Sequence, residues 1–545
     1  MKIGILCKDF NLLKNWELRI IDKLINNPSF SISLIIKDGR ESSKYQKVIK
    51  ELKSRNKFGK LLFHLQSLIE NEIYPEEISV NKAKIINYIN QVDTIKLFPI
   101  REGYTDVFSN EDSDKIKSFD LDVLLKLGFN GMKGDILNSA KNGIWSFLHA
   151  DCNTFKGGPI GFWEIVQDQP VIGATLLRLT NEFDGGYVID KGFYNRHWSF
   201  VQSINIVSEN SVILLMKNLN LIDTSDHKEL IKSEVFINNI DKFPGLKWFL
   251  KYIFLFYGRS INKVLNRIYI TFGLRPEGWT ILSSKGSIFK SELSKCEKIE
   301  PDKNHFWADP FTFKYNDVNY LFFENYSYKS RKGKISCGVL ENNKISFVKD
   351  VLVRDHHLSY PLIIQKNNDI FMIPETGQNK RLEIYKSIEF PLKWKLYSTG
   401  FEGLALVDTT VYTDSNNDIW IFTNKGTPPL YDFGSELYIY KVDSLKLNKI
   451  IPHKKNPVII DCRNGRNAGP IFRDGERIIR PSQNIINEVY GYGINLSVIK
   501  KLTIDEYEEE LITTIKPDFK KGLIATHHLC QTEDSFVIDG CYNFL

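Results

Sequence analysis

The chain has 545 residues, with 72 basic and 66 acidic side chains, a net charge of +6, 25% charged residues and 42% hydrophobic ones. That length exceeds what one hydrophobic core holds, so two or three domains are expected, and so small a charge excess lacks the concentrated positive field of a nucleic-acid-binding protein. The seven cysteines are scattered without a C-x-x-C pair, which indicates neither a zinc site nor a disulfide framework and points to a reducing cytoplasm.

The start, MKIGILCKDF, has no signal-peptide pattern, and no run of apolar residues is long enough to span a bilayer. Met1 to Leu6 reads as a buried strand, Trp16 to Ile25 as a helix with Leu18, Ile21, Leu24 and Ile25 on one side, and Phe30 to Ile36 as a second strand. Strand, helix, strand opens a doubly wound parallel sheet of the α/β class. No G-x-G-x-x-G loop follows, so a dinucleotide is not expected. Residues 40–90 are charged and helical; Val92 to Ile100, interrupted near its end by Pro99, and Leu121 to Leu127 are further strands, the latter followed by Gly128-Phe129-Asn130-Gly131.

The stretch from Gly143 to Gly186 carries the most chemistry. Ile144 to Leu148 is a short strand that delivers His149 and Asp151 to a loop, and Lys156, Gly157 and Gly158 follow, where small residues let backbone approach a ligand. Phe162-Trp163-Glu164 starts a helix, and Val171 to Leu179 is a strand ending at Asp184-Gly185-Gly186. Two strand ends are thus expected to present a His and an Asp to one cleft.

This layout resembles the 10-formyltetrahydrofolate-dependent formyltransferase family over about residues 1–200. The family carries an Asn-x-His pair at one strand end and an Asp in a Leu-Asp-x-Gly turn after the next; Asp184 matches that Asp. Counted from Lys156-Gly157, the Asn position falls on Ser146 and the His position on Leu148, with His149 one residue late; the sugar-type branch, with a Ser-Phe-His-His-Gly-Asp-like run, has precedents for Ser146 and His149. The resemblance implies Asp184 and His149 as catalytic groups with Ser146 as a weaker donor, and a folate pocket near Leu97, Gly128, Phe129, Asp151 and Gly157. In such chemistry an amine attacks the formyl carbon and the oxyanion needs aimed donors, each worth about a hundred- to a thousand-fold in rate.

Residues 195–240 read as one or two helices. Asp241 to Arg275 holds seven basic residues against one acidic around the aromatic run Trp248 to Tyr257, which suits either a linker helix packed between domains or a helix lying on an anionic membrane surface. From Gly278 onward only strands are expected. A repeat is visible: Asp309-Pro310-Phe311 leads to Phe323-Glu324, Tyr360-Pro361-Leu362 to Pro374-Glu375, Asp408-Thr409-Thr410 to Thr423-Asn424, Gly469-Pro470-Ile471 to Arg480-Pro481-Ser482, and His527-His528-Leu529 to Ile538-Asp539. Anchors at 309, 360, 408, 469 and 528 are spaced by 51, 48, 61 and 59 residues, the spacing of a five-bladed β-propeller. Asp309, Tyr360, Asp408 and His528 are expected at its centre, with Glu375 and Arg480 nearby.

The phrases HLSYP, PET, RNAGP and RPSQN resemble the propeller-like domain of plant glucosamine inositolphosphorylceramide transferases, and the repeat resembles the propellers of furanosidase-type glycosidases. The combined expectation is a formyltransferase-like domain (1–200), a helical closing segment and basic linker (201–277) and a propeller (278–545), transferring formyl from 10-formyltetrahydrofolate to a nucleotide-linked amino sugar in cytoplasmic surface-glycan synthesis. The alternative is a glycan-binding propeller, or one that hydrolyses glycans with two carboxylates, beside a formyltransferase-like domain without activity.

Overall fold

The computed structural model describes all residues except 9, 41–56, 77–79, 104, 155–157, 182–184, 225–232, 236–243, 276 and 545. The chain divides into two units, Met1–Arg259 and Ser260–Leu545.

The first unit is built on one sheet. Its strands are β1 (Lys2–Cys7), β2 (Ser31–Asp38), β3 (Thr94–Leu97), β4 (Val123–Lys126), β5 (Ile144–Leu148), β6 (Val171–Leu179), β7 (Gly186–Asn195) and β8 (Ser233–Val235), in the order β8-β7-β6-β5-β4-β1-β2-β3. β1 to β5 pair in parallel, as buried, nearly continuous apolar runs do. β6 runs antiparallel to β5, and β7 antiparallel to β6. Helix α1 (Asn15–Ile25) buries Leu18, Ile21 and Leu24 at the positions its periodicity gave. The charged stretch 40–90 contains α2 (Lys57–Ile73) and α3 (Lys82–Ile89). The strand expected over Val92 to Ile100 ends at Leu97, short of Pro99, and Ile100–Glu102 pairs in a separate small sheet.

Helices α4 (Asn110–Lys117), α5 (Phe162–Val166) and α6 (Phe200–Thr224) follow, then α7 (Leu246–Thr271). α7 buries Phe249, Tyr252 and Phe256, of which Tyr252 and Phe256 pack in one cluster with Phe162, Ile165 and Phe200. Tyr252 donates its hydroxyl proton to Glu70 at 2.5 Å and accepts from the Phe200 N–H at 3.2 Å, which satisfies the one polar atom this aromatic face carries inward.

α7 crosses into the second unit, whose described residues after it form five antiparallel sheets. The first runs His305–Tyr315, Val318–Ser327, Lys332–Glu341, Lys344–Leu352; the second runs Ser359–Lys366, Asp369–Glu375, Leu382–Glu389, Lys393–Gly400. The third is led by Leu406–Thr413 and Ile419–Lys425, the fourth by Phe472–Asp474 and Arg477–Ile486. The fifth joins Glu277–Lys285, from the start of the unit, to Ser535–Asn543 at its end.

One irregularity recurs. In the first three sheets the leading strand carries an extra residue, between the pairs Ala308↔Glu324 and Phe311↔Phe322, Ser359↔Glu375 and Leu362↔Ile373, Val407↔Asn424 and Thr410↔Phe422. Each bulge holds a non-glycine residue at positive φ: Asp309 at 49°, Tyr360 at 46° and Asp408 at 45°. A bulge re-aims the side chain it carries, and such backbone is costly unless the surroundings enforce it. The fourth sheet has Gly469 at this place, with φ 128°.

Candidate functional site

The bulges bring Asp309, Tyr360 and Asp408 together as buried side chains. The Tyr360 N–H donates to Asp309 Oδ2 at 3.1 Å, and the Tyr360 hydroxyl accepts the Gly469 N–H at 3.0 Å. In the fifth sheet the register corrects the expected anchor. Leu529 pairs with Ile538 as Phe311 pairs with Phe322, so His527, and not His528, holds the place of Asp309. His527 Nε2 lies 3.3 Å from Asp309 Oδ1 and its Nδ1 2.6 Å from Asp539 Oδ2. Asp539, fully buried, also accepts the N–H groups of His527 and His528, each at 2.9 Å.

Burial alone would strip the His527 proton, but Asp539 and Asp309 outweigh it and hold the imidazole charged well above its ordinary range. Burial likewise works against the Asp309 carboxylate, and His527 and the Tyr360 N–H keep it ionised, at about 2. His528 is different: packed edge-on to Phe311 and Tyr360, it is pushed down by burial and stays neutral. Asp309, His527 and Asp539 also offer ligand atoms within 4.8 Å of one another, a set that could hold a metal ion. The protonated imidazole already supplies positive charge at that point.

Opposite the bulges stand Glu324 and Glu375, one on each second strand. Burial, followed by the charge of Asp309 and Glu375, pushes Glu324 far above the carboxylate range. Glu375 is pushed up to about 8 by burial and then by the Asp408 carboxylate, so it carries a proton at neutral pH. Asp408 is bound by Arg466 Nε at 2.6 Å and by Gln483 Nε2 at 3.0 Å. The Arg466 guanidinium lies 5.0 Å from the ring centre of Tyr490, a residue that is 46% exposed, and the Trp279 ring lies against His527 with centres 4.3 Å apart and planes tilted by 53°. The site therefore offers an ionised Asp309, two protonated glutamates and aromatic faces: hydrogen-bond partners for hydroxyls, and an acid and a base with ionisation pushed far apart, as carboxylate-pair chemistry on glycosides requires.

Arg480, expected nearby, is fully buried and forms a two-pronged ion pair with Glu509 at 2.7 and 2.8 Å; it touches this site through Asn467, 3.2 Å away. Asn467 in turn donates to the Asp408 carbonyl at 2.8 Å. Arg480 thus props the site from behind, and Arg466 is the guanidinium that meets a site carboxylate. Glu324, Asp539, Arg466, Gln483 and His527 were not singled out from the sequence. Their signal was there in the repeat, which aligns Glu324 with Glu375 and Asn424, and in the RNAGP and RPSQN phrases that contain Arg466 and Gln483.

In the first unit the ends of β5 and β6 do not lie side by side. Because β5 and β6 are antiparallel, Leu148 pairs with Thr175 while Arg178, near the end of β6, pairs with Trp145, so the two strand ends lie at opposite edges. Asp184 and Gly157 lie outside the described residues. His149 stacks on Phe147 at 5.6 Å and meets Trp16 edge-on at 4.8 Å, with Nε2 3.2 Å from Ser211 Oγ. Ser146 is buried on the other face of β5, between Ile144 and Leu148, since strand side chains alternate. His149 and Ser146 are therefore not brought together, and burial pushes the His149 imidazole down to about 3.

Of the expected folate-pocket residues, Leu97 and Phe129 pack in the apolar core beside β1 and β2. Gly128 sits where a Cβ would come within 2.7 Å of the Lys8 nitrogen. Asp151, half-buried, pairs with Lys191 at 2.9 Å. The Phe129–Asn130 loop is tied by fully buried Asp106, which accepts from the Asn130 N–H at 2.9 Å and from Arg40 at 2.6 Å; burial opposes its charge, and these donors hold it at about 2.

A family profile described as glucosamine inositolphosphorylceramide transferase 1, N-terminal, matches residues 294–529. The chain is similar to glucosamine inositolphosphorylceramide transferase 1 of Oryza sativa subsp. japonica, 30% identical over 223 residues, 40% of this chain and 29% of that one. It is also similar to the protein of that name from Arabidopsis thaliana, 31% identical over 210 residues, 38% of this chain and 27% of the relative. The chain thus matches less than a third of the length of these relatives. Among solved structures, glycinamide ribonucleotide transformylase 1 from Symbiobacterium toebii is 12% identical with a TM-score of 0.28, covering 44% of this chain and 94% of that one. An α-L-arabinofuranosidase from Lactobacillus brevis is 12% identical with a TM-score of 0.34, covering 45% and 86%. Scores this low carry no weight for the fold, which rests on the strand order.

Proposed function

We propose that the second unit binds a sugar bearing a free amine, within a glycan-directed transferase, and that its five sheets are the blades of a five-bladed β-propeller with the acidic site at the centre. The observation that carries this reading is the pair Glu324 and Glu375, kept protonated among the carboxylates of Asp309, Asp408 and Asp539. A site with more acid than it can ionise gains most from a cationic ligand, because an ammonium lets those groups give up their protons. Hydroxyls of the same ligand meet Asp309 and Gln483, and Trp279 and Tyr490 suit the apolar face of a sugar ring. The word glucosamine in the relatives' names supports the choice of amine, and the seven free cysteines suit a reducing, cytoplasmic setting. A glycan array probed with the full chain tests it: retention on amine-bearing sugars that is lost in Asp408→Asn supports the reading, and retention on neutral sugars alone rejects it.

A second reading gives the first unit formyl transfer from 10-formyltetrahydrofolate to such an amine, on a nucleotide-linked sugar. The Asp151–Lys191 pair just past the end of β5 favours it, as polar chemistry at a sheet edge where ligands commonly bind. The described residues supply no imidazole there, since His149 is packed against Trp16 and Phe147. Titration with a folate analogue that cannot donate formyl decides this reading, because absence of folate binding leaves the first unit a scaffold.

A further inference from the structure

Given the amine reading, on which this step rests, we propose that the same ligand is anionic as well: the Arg466 guanidinium takes a phosphate ester borne beside the amine. Arg466 uses only its Nε in the site, on Asp408 Oδ2 at 2.6 Å. Among the described residues its two terminal nitrogens have no hydrogen-bond partner, and neither is sealed from solvent. The side chain is only 12% exposed, so this unused fork opens at the mouth of the site and not on a free surface. Arg480, behind the site, shows the contrast: it gives Nε and Nη2 to Glu509, Nη1 to Asn467 and Nη2 also to the Asn464 carbonyl. A guanidinium cannot shed its proton, so donors left over in a half-closed site call for an acceptor.

Geometry narrows the acceptor. The Arg466 guanidinium is held between the Asp408 carboxylate and the Tyr490 ring, over which it lies at 5.0 Å. A planar fork fixed in this way grips paired anionic oxygens, and a phosphate ester offers it three where a carboxylate offers two. The place for the amine adjoins. Asp408 binds Arg466 and stands beside protonated Glu375, and Tyr490 lies against His527 with ring centres 5.3 Å apart. An ammonium beside the glutamates and a phosphate at the fork therefore suit neighbouring carbons of one sugar, as in glucosamine 1-phosphate. The two charges of such a ligand offset one another, so the phosphate does not enter the acidic site uncompensated.

The test is calorimetric titration of the full chain near pH 6 with glucosamine, glucosamine 1-phosphate and glucose 1-phosphate. Glucosamine 1-phosphate is expected to bind at least about ten-fold tighter than glucosamine. That ratio should fall below about two in Arg466→Gln, and should also fall in Arg466→Lys, which keeps a charge beside Asp408 without the fork; circular dichroism checks that the variants fold. Equal binding of glucosamine and glucosamine 1-phosphate overturns the proposal and leaves the amine reading standing. A ratio unchanged in Arg466→Gln, or binding of neither phosphate ester, overturns it too. Glucose 1-phosphate bound as tightly as glucosamine 1-phosphate, and released by Arg466→Gln, would keep a phosphate at the fork and reject the amine reading instead. Glucosaminic acid, which has a carboxylate in place of the ester, binding tighter than glucosamine 1-phosphate would overturn the choice of phosphate.

Discussion

His527 sits between two carboxylates, with Nδ1 2.6 Å from Asp539 and Nε2 3.3 Å from Asp309. Asp539→Ala would leave a buried imidazolium with one partner and free the N–H groups of residues 527 and 528. A loss of about 3–5 kcal/mol is expected by urea denaturation; Asp539→Asn, which keeps an acceptor, should cost less. Asp309 has its ionisation depressed from 3.8 to about 2, so its contribution is complete above pH 4 and is lost as pH falls toward 2.

Glu375 gives a stability signature of the opposite sign. Its ionisation is raised from 4.5 to about 8, so between those values the folded chain holds a proton that the unfolded chain has released, and stability falls as pH rises. Glu375→Gln should flatten this slope by up to about 1.4 kcal/mol per pH unit. His527, also raised, contributes a loss in the same direction that persists in the variant, so the difference between the two curves isolates Glu375. Superimposable curves from pH 5 to 8 would show Glu375 ionising normally.

Gly469 takes φ 128°, and a Cβ there would lie 1.9 Å from the Leu529 carbonyl oxygen. Gly469→Ala should destabilise by more than about 3 kcal/mol. It would also displace the N–H that Tyr360 accepts, and thermal melting reads the loss.

His149→Phe should be tolerated, at a cost below about 1.5 kcal/mol, because the ring is packed against Trp16 and Phe147 and Ser211 keeps its bond to the Ser208 carbonyl at 2.7 Å. Any formyl transfer by the chain should survive this change; a loss of a hundred-fold or more, as follows removal of an oxyanion donor, would restore His149 to the chemistry.

The strand–helix–strand opening and the five-fold strand repeat were legible because periodicity and repeat spacing are local signals. The site was legible in part: Asp309, Tyr360, Asp408 and Glu375 lie at repeat positions that can be counted. His527 was displaced by one because a bulge adds a residue that only cross-strand register exposes. Arg466 and Arg480 could not be told apart, since their partners, Asp408 and Glu509, are 58 and 29 residues away. In the first unit the direction of β6 relative to β5 is set by tertiary pairing, and the alternation of β5 then puts Ser146 and His149 on different faces.

The central claim is charge recognition of an amine. Calorimetric titration of the full chain with glucosamine and with N-acetylglucosamine near pH 6, where a primary amine of this kind carries its proton, separates charge from shape. The expected result is saturable binding of glucosamine, at least about ten-fold weaker binding of the acetylated sugar, and loss of both in Asp408→Asn, a ten-fold ratio being about 1.4 kcal/mol. Equal affinity for the two sugars, or binding of the acetylated one alone, would contradict it.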